Sequence, residues 1–182
     1  MTNNITPHIN QAGYLDIAQQ IDSPNHDARP DNSIISLIVI HNISLPPQQY
    51  GGHGIVELFT NQLNPGDHPY YAEISHLKVS SHFFIKRDGQ LIQFVSCLNR
   101  AWHAGVSSWK GVERCNDFSI GIELEGSDFD VFENTQYKTL GSLLSVLKKT
   151  YVIDTIVGHS DIAPGRKTDP GPYFNWAKAN KA

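Results

Sequence analysis

The sequence lacks the features that place a protein in a membrane, in an oxidising compartment or on a nucleic acid. No apolar stretch approaches the roughly 20 residues that span a bilayer, and the N-terminal segment has no basic start followed by an apolar run, as a signal peptide has. The two cysteines, Cys97 and Cys115, could pair, but so few thiols fit a reducing cytosol better. A net charge of -4 indicates no general attraction to nucleic acids or anionic membranes. We therefore expect a cytoplasmic monomer that binds neither nucleic acids nor membranes.

What is present is the composition of one globular domain. The chain has 182 residues, 40% of them hydrophobic and 18% charged, and is long enough to bury a sizeable core. It has no internal repeat, linker or low-complexity tract. Residues 1–33 are polar and show little periodicity. We therefore predict an N-terminal arm over residues 1–33, packed on a single domain over residues 34–182.

Hydrophobic patterns predict both strands and helices. The continuous apolar run at residues 37–41 is typical of a strand buried on both faces. An Asp-Gly pair between two β-rich runs predicts a hairpin over residues 82–95. Leucines at helical spacing predict a helix that begins after a cap at Asn134 or Thr135 and packs against a sheet. A further short strand is predicted at residues 154–158.

The segment 158–172 carries the side chains most typical of a functional site. Its three prolines and three glycines are too many for a helix or a central strand, so we predict a shaped loop throughout. Loops dense in ligand-type side chains are usually held by a rigid scaffold and carry chemistry. We predict that His159 and Asp169 bind a metal ion and that Lys167 acts beside it. An ordinary exposed lysine is the alternative for Lys167.

A third ligand is expected from His41, which closes the strand predicted at residues 37–41. Sites on open α/β sheets gather at strand ends, although a histidine that caps a core strand through a backbone hydrogen bond is the alternative. With His159 and Asp169, His41 would give a catalytic zinc three protein ligands and leave a position for water. No local metal-binding motif joins the three, so their spacing alone is weak support. Surface or hydrogen-bonding roles are expected for the histidines of the following region: His68, His76 and His82.

The strictly alternating segment 119–126 predicts a strand with two carboxylates, Glu123 and Glu125, on one face. Carboxylates on a buried strand face are costly unless water, a cation or a metal lies near them. The alternative is that this face is solvated, as in many antiparallel sheets. The sequence leaves both interpretations open.

Four stretches resemble those of a known family: VIHNISLPP at 39–47, HLKVSSHFFIKRDGQLIQFV at 76–95, RAWHAGVSSWKGVERCNDFSIGIELEG at 100–126 and GHSDIAPGRKTDPGP at 158–172. They are similar to the AmpD-type members of the zinc N-acetylmuramyl-L-alanine amidases, a family that also contains phage lysozyme-type amidases and the peptidoglycan recognition proteins. The resemblance covers roughly residues 25–177, and its motifs are long and specific. It implies one α/β (α+β-like) domain with a central mixed β-sheet flanked by helices, and zinc in a groove at one edge of that sheet.

The resemblance implies roles for five residues: His41, His159 and Asp169 as zinc ligands, Glu123 as the catalytic glutamate and Lys167 as the catalytic lysine. Glu125 is expected to orient a ligand or a neighbouring group. The implied activity is zinc-dependent hydrolysis of the amide bond between N-acetylmuramic acid, in its 1,6-anhydro form, and L-alanine of muropeptides in peptidoglycan recycling. The alternatives are a lytic amidase that acts on intact peptidoglycan and a non-catalytic peptidoglycan-binding module. Modules of the second kind lose a ligand or the catalytic pair, whereas this chain has the full set.

The resemblance also implies contacts with an anhydro-muropeptide substrate. Arg114 resembles a residue that meets the carboxylates of the stem peptide. Lys78 stands where related amidases tend to carry arginine, which keeps a cation but loses the planar fork that binds a carboxylate through two hydrogen bonds. Asn42, Ala101 and Trp102 are expected to line the sugar–peptide groove. For Trp102, half-buried packing is an equal alternative to stacking on a sugar.

Overall fold

A six-stranded β-sheet forms the centre of the protein in the computed structural model, which describes residues 7–179. From one edge to the other, its strands are β1 (Gln19–Gln20), β5 (Leu91–Gln93), β4 (Phe83–Ile85), β9 (Ser119–Glu125), β3 (Leu37–Ile43) and β10 (Thr155–Gly158). The last four of these are parallel to one another, whereas β5 is antiparallel to β4. The sheet is therefore mixed, as the family resemblance implies.

Helices and short strand pairs surround the sheet. They are β2 (His26–Ala28), α1 (Gly54–Phe59), α2 (Pro69–Ile74), β6 (Asn99–Ala101), β7 (Ser108–Trp109), β8 (Val112–Glu113), a 3₁₀ turn (Cys115–Asp117), α3 (Asn134–Thr150), α4 (His159–Ile162) and α5 (Trp176–Ala179). Within residues 7–179, no helix combines the length and the apolar character needed to cross a membrane. The predicted class, an α/β (α+β-like) domain with a central mixed sheet flanked by helices, is confirmed.

The predicted N-terminal arm contributes strands to the sheets. β1 pairs in parallel with β5 at one edge of the central sheet, and β2 pairs with β6 in a separate antiparallel ribbon. The first six residues of the arm, and residues 180–182 at the other end of the chain, lie outside the described residues. The division of the chain at residue 33 stays a prediction.

One face of the central sheet is apolar and packs against α3. Side chains alternate along a strand, so Ile38 and Ile40 of β3 share this face with Ile120 and Ile122 of β9. The helix covers them with the residues predicted from its spacing, all of which are buried: Leu140, Leu143, Leu144 and Leu147. By the same alternation, His41 of β3 and both Glu123 and Glu125 of β9 are directed to the opposite face.

Replacing Leu140 by alanine is expected to lower the free energy of unfolding by about 2–5 kcal/mol, because the leucine is fully buried in this core. Urea denaturation of the purified protein measures the loss as a lower midpoint. Ser142→Ala, at an exposed position of the same helix, should stay within about 0.5 kcal/mol of the wild type. Equal losses at the two positions would contradict the packing of α3 on the sheet.

The prediction that Asn134 or Thr135 caps α3 is wrong. The N-cap is Glu133, whose backbone N–H donates to the side-chain oxygen of Gln136 at 2.9 Å, as in a capping box. The Thr135 hydroxyl instead donates to the carbonyl oxygen of Arg87 at 2.8 Å and so ties the helix to the hairpin loop. The Thr135 hydroxyl, which the local pattern assigns to a helix cap, is therefore used in a contact between distant segments.

The prediction of a continuous loop over residues 158–172 is wrong at its start, because His159–Ile162 form the helical turn α4. The first proline comes only at position 164, which leaves room for one turn. The Asp161 carboxylate accepts a hydrogen bond from the Gly158 N–H at 2.7 Å and satisfies an amide at the start of that turn. Residues 163–172 are turns and irregular structure, as predicted.

Two other predictions are confirmed. The hairpin expected over residues 82–95 is the antiparallel pair β4–β5. Its turn contains Gly89 at a φ of 88°, a left-handed conformation that glycine adopts without steric cost. Cys97 and Cys115 are both buried free thiols.

Candidate active site

Three parallel strands bring Glu123, His41 and His159 side by side at their carboxyl ends. In the pairing of β3 with β9, His41 lies opposite Glu123. In the pairing of β3 with β10, Ile40 lies opposite Gly158, so the next residue, His159, lies beside His41. Open α/β sheets place their sites at these strand ends. The register of the sheet therefore gathers three of the five residues to which catalytic or metal-binding roles are predicted.

The three predicted metal ligands form a tight group of donor atoms, which we call the ligand triangle. The Nδ1 atoms of His41 and His159 are 3.0 Å apart, and Oδ2 of Asp169 lies 3.0 Å from the first and 3.1 Å from the second. Both histidines are buried and Asp169 is partly buried. A tetrahedral zinc site with bonds of about 2.0–2.1 Å has ligand atoms roughly 3.3–3.4 Å apart. The ligand triangle is therefore close to the size that a zinc ion requires.

Asp169 reaches the ligand triangle because residues 163–172 fold back over the end of β10. Its carbonyl oxygen accepts a hydrogen bond from the N–H of Ser160 at 2.9 Å. Pro170 packs so closely on Gly158 that a β-carbon at position 158 would lie 2.7 Å from the proline ring. A residue without a side chain at position 158 is therefore what allows this approach.

Burial and hydrogen bonding set the charges of the ligand triangle. Burial lowers the pKa of His41, which keeps its ring in the neutral form that binds metals. Burial alone would raise the pKa of Asp169, but hydrogen bonds with His159 and His41 outweigh it and hold that pKa below its ordinary value. An ionised carboxylate beside two imidazole nitrogens is a donor set that suits a borderline-soft dication such as zinc.

Glu123 is the group of the site whose hydrogen bonding is incomplete. Its Oε1 is 4.0 Å from Nδ1 of His41, and its Oε2 is buried with no hydrogen-bond partner among residues 7–179. Burial, and then the nearby Asp169 carboxylate, raise the pKa of Glu123 well above its ordinary value, although the charge of Lys167 opposes them. A buried polar atom without a partner calls for an explanation. A carboxyl group that moves protons for a reaction beside the ligand triangle provides one.

Glu125 has a different environment, although it shares a face of β9 with Glu123. Its carboxylate oxygens accept the backbone N–H groups of Gly51 and of Arg87, the latter at 3.0 Å. These bonds hold two loops in place and satisfy the charge within the protein. Every residue of β9 is buried. The alternative of a solvated carboxylate face is therefore wrong.

The ligand triangle lies in the wall of a cavity of about 370 Å³. Glu123 and Lys167 also line this cavity, as do Asn42 and Trp102 among the predicted substrate contacts. Its apolar lining includes four residues of α1 and α2: Leu58, Phe59, Tyr70 and Ile74. A concave site with an apolar wall and a few convergent polar groups is typical of small-molecule binding.

The other three predicted substrate contacts lie outside the lining of this cavity. Ala101 is completely buried in β6. Lys78 is exposed. Arg114 forms an ion pair with Asp117 at 3.2 Å and lines a separate groove of about 540 Å³. The binding roles of these three residues stay predictions.

Two contacts that support the site escape prediction from the sequence. Nδ1 of His103 lies 3.0 Å from Nε2 of His41, yet no pattern links residues so far apart in the chain. Asp27 accepts hydrogen bonds from Arg100 and, at 3.2 Å, from the indole N–H of Trp102. Asp27 lies in the N-terminal arm, where a single carboxylate carries no recognisable signal. Only the pairing of β2 with β6 reveals this contact.

Two imidazoles and a carboxylate at the ends of parallel strands, with a buried carboxyl group alongside, are typical of metal-dependent hydrolases. The family model for N-acetylmuramoyl-L-alanine amidase matches residues 30–172. The chain therefore belongs to the N-acetylmuramoyl-L-alanine amidase family of enzymes, and the resemblance seen in its motifs is confirmed.

Individual members of this family are similar to the chain in sequence and in structure. The chain is 52% identical over 168 residues to the 1,6-anhydro-N-acetylmuramyl-L-alanine amidase AmpD of Citrobacter freundii, an alignment that covers 91% of this chain and 90% of the relative. A crystal structure of a selenomethionine AmpD derivative matches with a TM-score of 0.92 at 51% identity and covers 94% and 97% of the two chains. AmiD of Escherichia coli, in complex with the substrate anhydro-N-acetylmuramic acid-L-Ala-D-γ-Glu-L-Lys, matches with a TM-score of 0.60 at 28% identity over 97% of this chain and 65% of AmiD.

Proposed function

We propose that this chain hydrolyses the amide bond that joins the lactyl group of N-acetylmuramic acid, in its 1,6-anhydro form, to L-alanine of muropeptides. The observation that carries the proposal is the buried Glu123 carboxyl beside the ligand triangle, with one oxygen that has no hydrogen-bond partner among residues 7–179. Relatives named for the 1,6-anhydro substrate support the choice of bond and of sugar. Hydrolysis of such small fragments fits peptidoglycan recycling in the cytoplasm.

We infer that His41, His159 and Asp169 hold a zinc ion. When bound, zinc supplies a Lewis acid that acidifies water at neutral pH and polarises the amide carbonyl. The nearly equal edges of the ligand triangle support this assignment. Three protein ligands are also the usual number at catalytic zinc sites.

Glu123 holds the proton that the reaction has to move. Hydrolysis joins the oxygen of water to the carbonyl carbon, breaks the carbon–nitrogen bond and needs a proton on the departing nitrogen of L-alanine. Glu123 accepts a proton from the attacking water and returns it to that nitrogen, and its raised pKa suits both steps. Lys167, which lines the same cavity, stabilises the negative charge that develops on the carbonyl oxygen.

The cavity wall is proposed to bind the sugar and the first residue of the peptide. Trp102 offers an aromatic surface to the sugar, and its ring is held by the hydrogen bond with Asp27. The amide nitrogen of Asn42 is already engaged with Asp128 at 2.7 Å, so its oxygen is the atom left to accept a hydrogen bond from the substrate. Beyond the cavity, the exposed cations Lys78 and Arg114 are proposed to meet carboxylates of the stem peptide.

Incubation with purified 1,6-anhydro-muropeptide tests this proposal. We expect chromatography to show free peptide that begins with L-alanine, no release after treatment with a chelator, and recovery when zinc is added. Undiminished release by the metal-free protein would contradict the zinc assignment. Binding without turnover over hours would indicate a non-catalytic module, and faster release from intact sacculi than from soluble fragments would indicate a lytic amidase.

Lys167→Met is expected to lower kcat by about 10²–10³-fold, the usual cost of losing one group that stabilises an oxyanion. KM should change little if the lysine acts mainly on the charge that develops during the reaction. Lys167 is exposed, so the substitution should leave the stability of the fold within about 0.5 kcal/mol of the wild type. The control Lys149→Met removes an exposed lysine at the end of α3. An equal effect of the two substitutions on kcat would remove Lys167 from the mechanism.

A further inference from the structure

A third histidine extends the ligand triangle into the sheet, and the proposed mechanism does not use it. Nδ1 of His103 lies 3.0 Å from Nε2 of His41, and Nε2 of His103 lies 3.2 Å from the hydroxyl oxygen of Ser119. Ser119 is completely buried at the start of β9. The three side chains therefore form one line of hydrogen bonds that starts at a predicted metal ligand and ends inside the protein.

Only one direction of these hydrogen bonds is compatible with His41 as a ligand. A neutral histidine that binds a cation through Nδ1 has to carry its ring proton on Nε2. The Nε2–H of His41 then donates to Nδ1 of His103, which leaves the proton of His103 on its own Nε2. That N–H donates in turn to the oxygen of Ser119. In this arrangement Nε2 of His41 and both ring nitrogens of His103 each have a hydrogen-bond partner of the opposite kind, donor or acceptor.

The sheet is built to accommodate His103. A β-carbon at Gly121 would lie 2.5 Å from Cγ of His103, closer than non-bonded atoms come, so the ring occupies space that only glycine leaves. The neighbouring His82 is engaged elsewhere, with the N–H of Gly121 and the carbonyl oxygen of Asn99.

The two predicted histidine ligands are supported by consecutive residues. Nε2 of His159 lies 3.0 Å from the carbonyl oxygen of Ala104, the residue that follows His103. Metal-binding histidines usually donate their second ring N–H to a fixed acceptor, which sets both the tautomer and the orientation of the ring. A backbone oxygen provides that acceptor for His159, and an imidazole provides it for His41.

We propose that His103 is a positioning residue of the metal centre: it accepts the Nε2–H of His41 and, together with Ser119, holds His41 in the tautomer and orientation that present Nδ1 to the cation. This inference rests on the proposed zinc site. It adds to that site a residue that contacts the ligand His41 and is not itself one of the three proposed zinc ligands, and it predicts a change in zinc affinity that can be measured without substrate.

Leucine and asparagine have nearly the same shape, but only asparagine keeps an acceptor close to the position of Nδ1. We expect His103→Leu to weaken zinc binding by about 10–100-fold in competition with a chromophoric chelator, and His103→Asn to recover most of that loss. Ser119→Ala should cause a smaller weakening. Its matched control is Ser81→Ala, which removes an equally buried hydroxyl bonded to the carbonyl oxygen of Gly121 and should leave the zinc affinity unchanged.

The possible outcomes distinguish a failure of the positioning role of His103 from a failure of the zinc site itself. A wild type that binds no zinc would overturn both. Zinc binding by the wild type, with an unchanged affinity in folded His103→Leu or an equal loss in His103→Leu and His103→Asn, would overturn the positioning role alone. If His103→Leu does not fold, the ¹⁵N resonances of the zinc-loaded wild type decide. A proton on Nε2 of His103 supports the role, and a proton on Nδ1 overturns it.

Discussion

Asp169→Asn is expected to remove the metal and, with it, measurable turnover. Asparagine has the shape of aspartate but no charge, so the cation loses an ionised ligand. If the protein ligands share an apparent binding free energy of about 10–16 kcal/mol, the loss of one of three costs roughly 3–5 kcal/mol, or about 10²–10⁴-fold in affinity. Metal analysis after dialysis, together with muropeptide turnover at a fixed low concentration of free zinc, measures both effects.

Asp161→Asn is the matched control for this substitution. It makes the same chemical change in the same segment, but the Asp161 carboxylate is exposed and accepts the N–H of Gly158 at the start of α4. We expect its zinc content and turnover to stay near those of the wild type. Full zinc content in Asp169→Asn, or an equal loss in both variants, would show that Asp169 is not a ligand.

Local patterns in the sequence predict the parts of the fold that are determined locally. The apolar run of β3, the Asp-Gly hairpin and the leucine spacing of α3 all correspond to observed elements. Contacts between distant segments have no such pattern. The Thr135 hydroxyl is drawn to the carbonyl oxygen of Arg87 rather than to its own helix, and Asp27 reaches Trp102 only because β2 pairs with β6.

The candidate site is predicted only in part by local patterns in the sequence, because it also depends on contacts between distant segments. Residue type and the position at a strand end point to His41, but the sequence does not contain the pairing of β3 with β10 that puts His159 beside it. Resemblance to a family supplies the roles that spacing leaves open. The two carboxylates of β9 differ for a reason that alternation cannot show, since two loop amides satisfy Glu125 and leave Glu123 unpartnered at Oε2 among residues 7–179.

Glu123→Gln is expected to lower kcat by about 10²–10⁴-fold, because glutamine keeps the shape of the side chain but can neither accept nor return a proton. The zinc content should stay at the wild-type level, since the Glu123 carboxylate lies 4.0 Å from Nδ1 of His41 and is not part of the ligand triangle. Metal analysis and single-turnover measurements on the same sample separate the two properties. Loss of zinc together with turnover would instead identify Glu123 as a ligand.

The same substitution is expected to stabilise the metal-free protein at neutral pH. Since the pKa of Glu123 is raised in the folded state, its proton is held more tightly there than in the unfolded chain, where glutamate titrates near about 4.3. The resulting stabilisation is fully present below that pH and is lost as the pH rises through the raised pKa. Urea denaturation should therefore show a higher free energy of unfolding for Glu123→Gln than for the wild type at pH 7–8, and a difference that shrinks toward pH 4.

Glu125→Gln distinguishes the two carboxylates, because it makes the identical change on the same face of β9. Its carboxylate accepts two backbone N–H groups, and glutamine has an oxygen for only one of them. We therefore expect a loss of about 1–3 kcal/mol in the free energy of unfolding, with turnover by the folded fraction close to that of the wild type. Equal losses of turnover in the two variants would mean that proton transfer does not belong to Glu123, because one buried carboxylate would then matter no more than its structural neighbour.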